Sequence, residues 1–296
     1  LSKALSKTLF GTEIMKFVVI TILLLLVRVD DPSAHFAKGK SHLQSKDYID
    51  AINEFTTAVS INPNFGEAYY YRALSKDMMS KEGGFIIHDL CVDLILAVEN
   101  GYQAALSMLR DKSDQFCHNL KAAIASPDAV FCAEFSSSVL SELPKSFSQM
   151  ILLVNLRLFN NRFESLPDLS SSQYLVYLDA SSNSISVIPE HLAKLKWLMH
   201  LNFSRNKIDA IPNSIANLKN LQELILKENH LEEIPQTLAQ VKSLETLDVS
   251  FNRIKAIPGF METMTHLKTL ILTGNPISDS QVNELKKKLK NTRIYF

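Results

Sequence analysis

A chain of 296 residues that is 46% hydrophobic and 21% charged has room for two ordinary domains and enough apolar content to bury a core. Its 31 basic and 31 acidic side chains cancel, so no global field draws it to nucleic acid or to an anionic membrane, and nucleic acid is not an expected partner. None of the eight glycines sits in a GxGxxG or GxxxxGK loop, and the three cysteines lack CxxC spacing. A backbone cradle for phosphate, a dense disulfide framework and a ribbon-type zinc site are therefore not expected, nor is any cofactor. Cys91, Cys117 and Cys132 are read first as separate small thiols, with one disulfide plus a thiol as the alternative.

Residues 1–29 read as an export signal. Met15-Lys16 is followed by eleven apolar or weakly polar residues, Phe17 to Val27, and then by Arg28 and the acidic pair Asp30-Asp31. Such a run is too short for a bilayer, which needs about 20 residues, but suits the core of a signal peptide. No clean small-x-small triplet precedes Asp30. The alternatives are an uncleaved short anchor, which alone would make a membrane a partner, or a buried apolar helix in a cytoplasmic protein.

Residues 33–110 carry a helical grammar. Gly39, Ala51, Phe55, Ala58 and Pro63 alternate small, aromatic and helix-ending positions, Asp47-Tyr48 opens a second helix, and Asn62-Pro63-Asn64 breaks it. A degenerate copy follows with Gly66, Glu67, Ala68, Tyr69, Tyr70 and Ala73, a turn over Lys81 to Gly84, and a helix from about Ile86 to Val98 in which Ala97 matches Ala58. This pattern resembles the tetratricopeptide repeat, although His35, Lys38 and His42 stand where that family places larger apolar residues. A helix over Tyr102 to Leu109 is expected to cap the stack, and 111–129 to connect as helix and linker.

From 130 to 296 the repeat is plain. The pattern LxxLxLxxNxLxxLP runs as Leu153, Leu156, Leu158, Asn161, Phe163, Leu166 and Pro167, and recurs from Leu175, Leu198, Leu221 and Leu244, with a partial copy from Leu267 and a worn one from Val130. Prolines 144, 167, 189, 212, 235 and 258 are spaced 23, 22, 23, 23 and 23 residues apart. This resembles the leucine-rich-repeat family of the 23-residue kind. The resemblance implies an α/β solenoid with a parallel sheet on its concave face, preceded here by the all-α region. Leucines two apart share one face of a strand, so the LxL pairs point inward. The turn asparagines 161, 183, 206, 229, 252 and 275 are expected to bond backbone groups left unpaired where the chain leaves the strand. Ser280 to Lys290 reads as an amphipathic closing helix with Val282, Leu285 and Leu289 inside.

Chemistry is sparse. His88, Cys91 and Asp93 lie close in sequence but match no established ligand spacing, and Cys117-His118 offers no convincing nucleophile pair. The outward strand positions offer a protein-binding face instead: Arg157, Tyr177, Asp179, His200, Asn202, Glu223 and Asp248. Both repeat families imply a non-enzymatic recognition module for a protein or peptide ligand, with no small-molecule cofactor. Its expected place is exported: periplasmic, on the cell surface or secreted. The combination looks most like bacterial repeat proteins of unassigned role. A secreted effector enzyme and an intracellular scaffold for small GTPases are the competing readings.

Overall fold

The computed structural model describes residues 31–83 and 89–296, so the signal-like expectation for 1–29 lies outside the described residues. The chain divides into two compact units between Tyr102 and Gln103.

The first unit is all-helical: α1 (Pro32–Gln44), α2 (Tyr48–Ile61), α3 (Gly66–Gly83) and α4 (Leu90–Glu99). Asp31 caps α1 by accepting from the Ser33 amide at 2.9 Å, with Pro32 at the first helical position, where its missing N–H does no harm. Helix α2 ends at Asn62, whose extended backbone (φ −125°, ψ 92°) is what the following Pro63 requires. Each helix packs on the one before it. Small residues permit this: Ala51, Ala58, Ala68 and Ala73 are fully buried, and a Cβ added at Gly39 would stand 2.7 Å from the Phe55 ring. Between α3 and α4 the buried Asp93 carboxylate takes Arg72 at 2.5 Å and Lys76 at 2.8 Å. Both of its oxygens are thereby neutralised, as a buried charge requires.

The second unit is built on a nine-stranded parallel sheet in sequence order: β1 (Cys117–Asn119), β2 (Cys132–Glu134), β3 (Asn155–Arg157), β4 (Tyr177–Asp179), β5 (His200–Asn202), β6 (Glu223–Ile225), β7 (Thr246–Asp248), β8 (Thr269–Ile271) and β9 (Arg293–Tyr295). The middle leucines of β3 to β8, residues 156, 178, 201, 224, 247 and 270, stand in one register. With the second leucine or its substitute in each coil they feed one continuous core. Short 3₁₀ helices such as Glu190–Lys194 and Asn213–Asn217 form the opposite side, each entered from a proline with extended backbone. Helix α7 (Asp279–Lys288) closes the core with Val282, Leu285 and Leu289, as its pattern predicts.

The asparagine ladder is a structural device. Asn206 accepts from the Ile185 amide at 2.9 Å and donates to the carbonyls of Ala180 and Phe203, both at 3.0 Å. The equivalent bonds recur at Asn161, Asn183, Asn229, Asn252 and Asn275. The residue before each asparagine sits in the left-handed region, at φ 53–55° for Asn160, Ser182, Arg205, Glu228 and Phe251, and at 74° for Gly274. Only at the last of these does glycine remove the steric conflict.

Several features differ from the sequence expectation. The sheet starts at Cys117, inside the 111–129 span read as a connector, because β1 pairs in parallel with β2. The helix expected to cap the helical repeats is α5 (Ala105–Ser113), which falls within the second unit, and a short α6 (Leu120–Ala125) follows β1. The final NTRIYF forms β9, whose Tyr295 carbonyl accepts from the Leu272 amide. Cys117 and Cys132, read first as separate thiols, are joined as a disulfide: opposed neighbours on β1 and β2, their Cα atoms lie 4.4 Å apart. Cys91 is buried in α4.

Candidate functional site

Parallel pairing in register turns the outward strand positions into two columns. One contains Asn155, Tyr177, His200, Glu223, Thr246 and Thr269, and the other contains Arg157, Asp179, Asn202, Ile225, Asp248 and Ile271. All seven side chains nominated from the sequence lie on this wall and are half-buried.

They fall into two groups. Asp179, Asn202 and Asp248 each support the turn that follows their own strand. Asp179 Oδ1 accepts from the Ser181 amide at 2.9 Å and its hydroxyl at 2.5 Å, Asp248 does the same with Ser250, and Asn202 Oδ1 accepts from the Ser204 amide. The second side-chain polar atom of each makes no hydrogen bond among the described residues.

Arg157, Tyr177, His200 and Glu223 instead form a connected set. The Arg157 guanidinium lies 5.5 Å from the Tyr177 ring centre, and that ring lies 6.1 Å from the His200 ring. His200 Nε2 is 2.6 Å from Arg110 Nη1, and Nδ1 is 3.0 Å from Glu223 Oε2. A guanidinium only donates, so Nε2 is the acceptor and the ring proton resides on Nδ1, where it donates to Glu223. That hydrogen bond holds the Glu223 carboxyl below its ordinary value, with help from the nearby Arg110 charge, while burial opposes. Burial, reinforced by Asp179, raises the Tyr177 phenol.

The Glu223 shift has a testable sign. Because its folded pKa is depressed, its stabilising contribution is complete above the unfolded value of about 4.3 and disappears as pH falls through the lower folded value. The Glu223→Gln variant is expected to show a shallower loss of stability below about pH 4 than the parent in urea titrations across pH 2–6. Parallel acid limbs would remove Glu223 from the acid response.

Arg110 and Asp114 were not singled out from the sequence. They belong to α5 and the 3₁₀ turn after it, and both reach the wall. Asp114 takes Arg157 Nη2 at 2.9 Å and also accepts from Asn155 Nδ2, which in turn donates to the Arg110 carbonyl at 3.0 Å. No local sequence signal marked them, because their partners lie 90 and 43 residues away in the chain.

Among the described residues neither a general-base pair nor a metal centre is complete. His200 and Glu223 are brought together, but Arg110 occupies the nitrogen that a general base would need. Asp114, Cys117 and Cys132 place three ligating atoms within 4.8 Å of one another. However, disulfide sulfurs are poor ligands and Arg157 Nη1 stands 3.0 and 3.3 Å from them, so this is an unfavourable place for a cation. Of the other imagined set, His88 lies outside the described residues and Asp93 holds Arg72 and Lys76. Among the described residues no helix is long and apolar enough to cross a membrane.

Residues 153–295 match the family model of a leucine-rich repeat region. The chain is similar to a solved leucine-rich-repeat protein of Leptospira interrogans, at 27% identity over 53% of this chain and 46% of that one, with a TM-score of 0.46. It is also similar to the leucine-rich-repeat ectodomain of an Arabidopsis thaliana membrane receptor kinase solved in complex with Casparian strip integrity factor 2. There the identity is 25%, covering 56% of this chain and 24% of that one, with a TM-score of 0.46. This chain spans less than half the length of each. No curated protein matches its sequence. Leucine-rich repeats are in general protein-interaction modules and typically non-enzymatic. The 23-residue grammar, the parallel sheet and the family match coincide on one stretch of chain, and residues 153–295 are a leucine-rich-repeat region.

Proposed function

We propose that the chain is an exported recognition or adaptor protein whose concave wall binds a protein or peptide ligand. The observation that carries this reading is the register: six successive strands present their outward side chains in two straight columns. An extended or helical segment laid across them meets a mixed polar, aromatic and aliphatic surface, the composition on which protein interfaces find their anchors. Arg157, Tyr177, Asp179, His200, Asn202, Glu223 and Asp248 are the proposed contacts. Export is supported by the disulfide, since Cys117 is exposed and such a bond persists in an oxidising compartment. The helical unit is proposed as a tetratricopeptide-like second surface, supported by the close approach of Gly39 to Phe55 and by the chain of alanines between its helices.

The test places a photo-crosslinking residue at Thr246 or Thr269 on the wall and at Gln240 on the opposite side, in protein recovered from the exported fraction. A discrete adduct is expected from the wall positions alone, and Glu223→Lys is expected to reduce its yield at least about ten-fold, the size of an effect from a buried interfacial charge. Equal adducts from Gln240, or none from the wall, would end this reading.

A further inference from the structure

The concave wall is partly covered by the chain's own segment. Three side-chain contacts hold residues 105–116 there, ahead of strand β1: Arg110 on His200, Asp114 on Arg157, and Asn155 on both the Arg110 carbonyl and Asp114. The first reaches across to β5, three strands beyond the disulfide-bearing β2. The side chains involved are those with which the wall would meet a ligand, so segment and ligand compete for one surface.

The attachment is chemically lopsided. Ala105, Leu106 and Leu109, the buried apolar residues of α5, are not part of the core that runs through the coils. What ties the segment to the wall is a few side-chain polar contacts, most of them between partly exposed groups and individually weak, and, at its C-terminal end, the pairing of β1 with β2 that one covalent bond reinforces. Closure also carries a penalty, because Asn155 Oδ1 is buried with no hydrogen-bond partner. Lifting the segment would return that oxygen to water. Meanwhile Arg157 Nη1 stands 3.0 Å from Cys117 Sγ and 3.3 Å from Cys132 Sγ, where its charge favours a thiolate once the bond is cleaved. Cys117 lies at an exposed position, open to a reductant.

We propose that the Cys117–Cys132 disulfide is a redox clasp that keeps the α5 segment over Arg157, Tyr177 and His200, and that its reduction uncovers this part of the wall. The reductant is a dithiol: its two thiols become a disulfide while Cys117 and Cys132 each gain a hydrogen. The protein then has a covered oxidised form and an open reduced form. This deepens the binding reading above and rests on it for its purpose, but the opening itself is measurable with no ligand present.

The experiment is amide hydrogen exchange on the full-length protein, oxidised and after treatment with dithiothreitol, with reduction confirmed by a gain of two alkylatable thiols. Residues 105–116 are expected to exchange at least ten-fold faster when reduced, while 198–272 keep their protection. The double variant Cys117→Ser, Cys132→Ser is expected to show the fast pattern without reductant. Unchanged exchange over 105–116 after full reduction would overturn the proposal, and so would loss of protection throughout the coils, which would make the bond a general brace. Failure of crosslinking with normal opening would strike only the binding reading.

Discussion

Replacing Asn229 with alanine is expected to destabilise the protein by about 3–5 kcal/mol, since each buried polar group left without a partner costs about 1–3 kcal/mol. Asn229 is 5% exposed, accepts from the Ile208 amide at 3.0 Å, and donates to the carbonyls of Phe203 at 2.9 Å and Leu226 at 3.0 Å. Alanine removes these bonds, and a longer one to the Lys227 carbonyl at 3.3 Å, and leaves the backbone groups inside the coil stack, where water does not reach. The urea midpoint measures the loss. Asn220→Ala is the control: its side chain makes an exposed bond to the Lys196 carbonyl and stands outside the ladder, so a shift of less than about 1 kcal/mol is expected. Equal shifts in the two variants would show that the ladder contributes no more than a surface contact.

Phe203→Ala is expected to cost a comparable amount, about 3–5 kcal/mol, through the cavity that it opens. Phe203 is fully buried, and its coil follows the one that carries Ala180 in the equivalent position. A large side chain beside a small one is how adjoining coils fill a core of constant width. The expected signature is a lower urea midpoint with an unchanged slope, together with faster amide exchange concentrated in the coils from Leu175 to Leu226. A loss below about 1 kcal/mol would mean that the neighbouring coils close over the space.

The solenoid was legible in the sequence because its forces are periodic. A leucine pair two residues apart, a polar residue at a fixed offset and a proline every 23 residues leave few alternatives, and the asparagine bonds lie where that pattern required. The wall was legible for the same reason: alternation along a strand decides which side chains face outward. The occupant of the wall was not legible. Arg110 and Asp114 act through contacts 90 and 43 residues away in sequence, to His200 and Arg157, and no local pattern encodes such a pairing. The disulfide was hidden similarly, since Cys117 belongs to a strand with no leucine motif and only its pairing with β2 brings it to Cys132. β9 was missed because Arg293–Tyr295 lacks the repeat signature and is recruited by the edge of β8.

The asparagine ladder also has a direction. Each asparagine serves its own coil and the preceding one, never the following one: Asn275 holds Leu272 in its own turn, and Ile254 and Val249 in the coil before. Removing the first coil would leave an amide side chain free to turn toward solvent. Removing the last would strand a fixed amide and carbonyl in the coil that stays behind. Lifting the last coil therefore costs more than lifting the first, and the ladder favours opening that begins at the N-terminal end. Helix α7 and strand β9 cover the end at which a lost coil leaves backbone groups stranded, so a nick between Asn275 and Ser278 should be far more damaging than one in the worn coil after Val130.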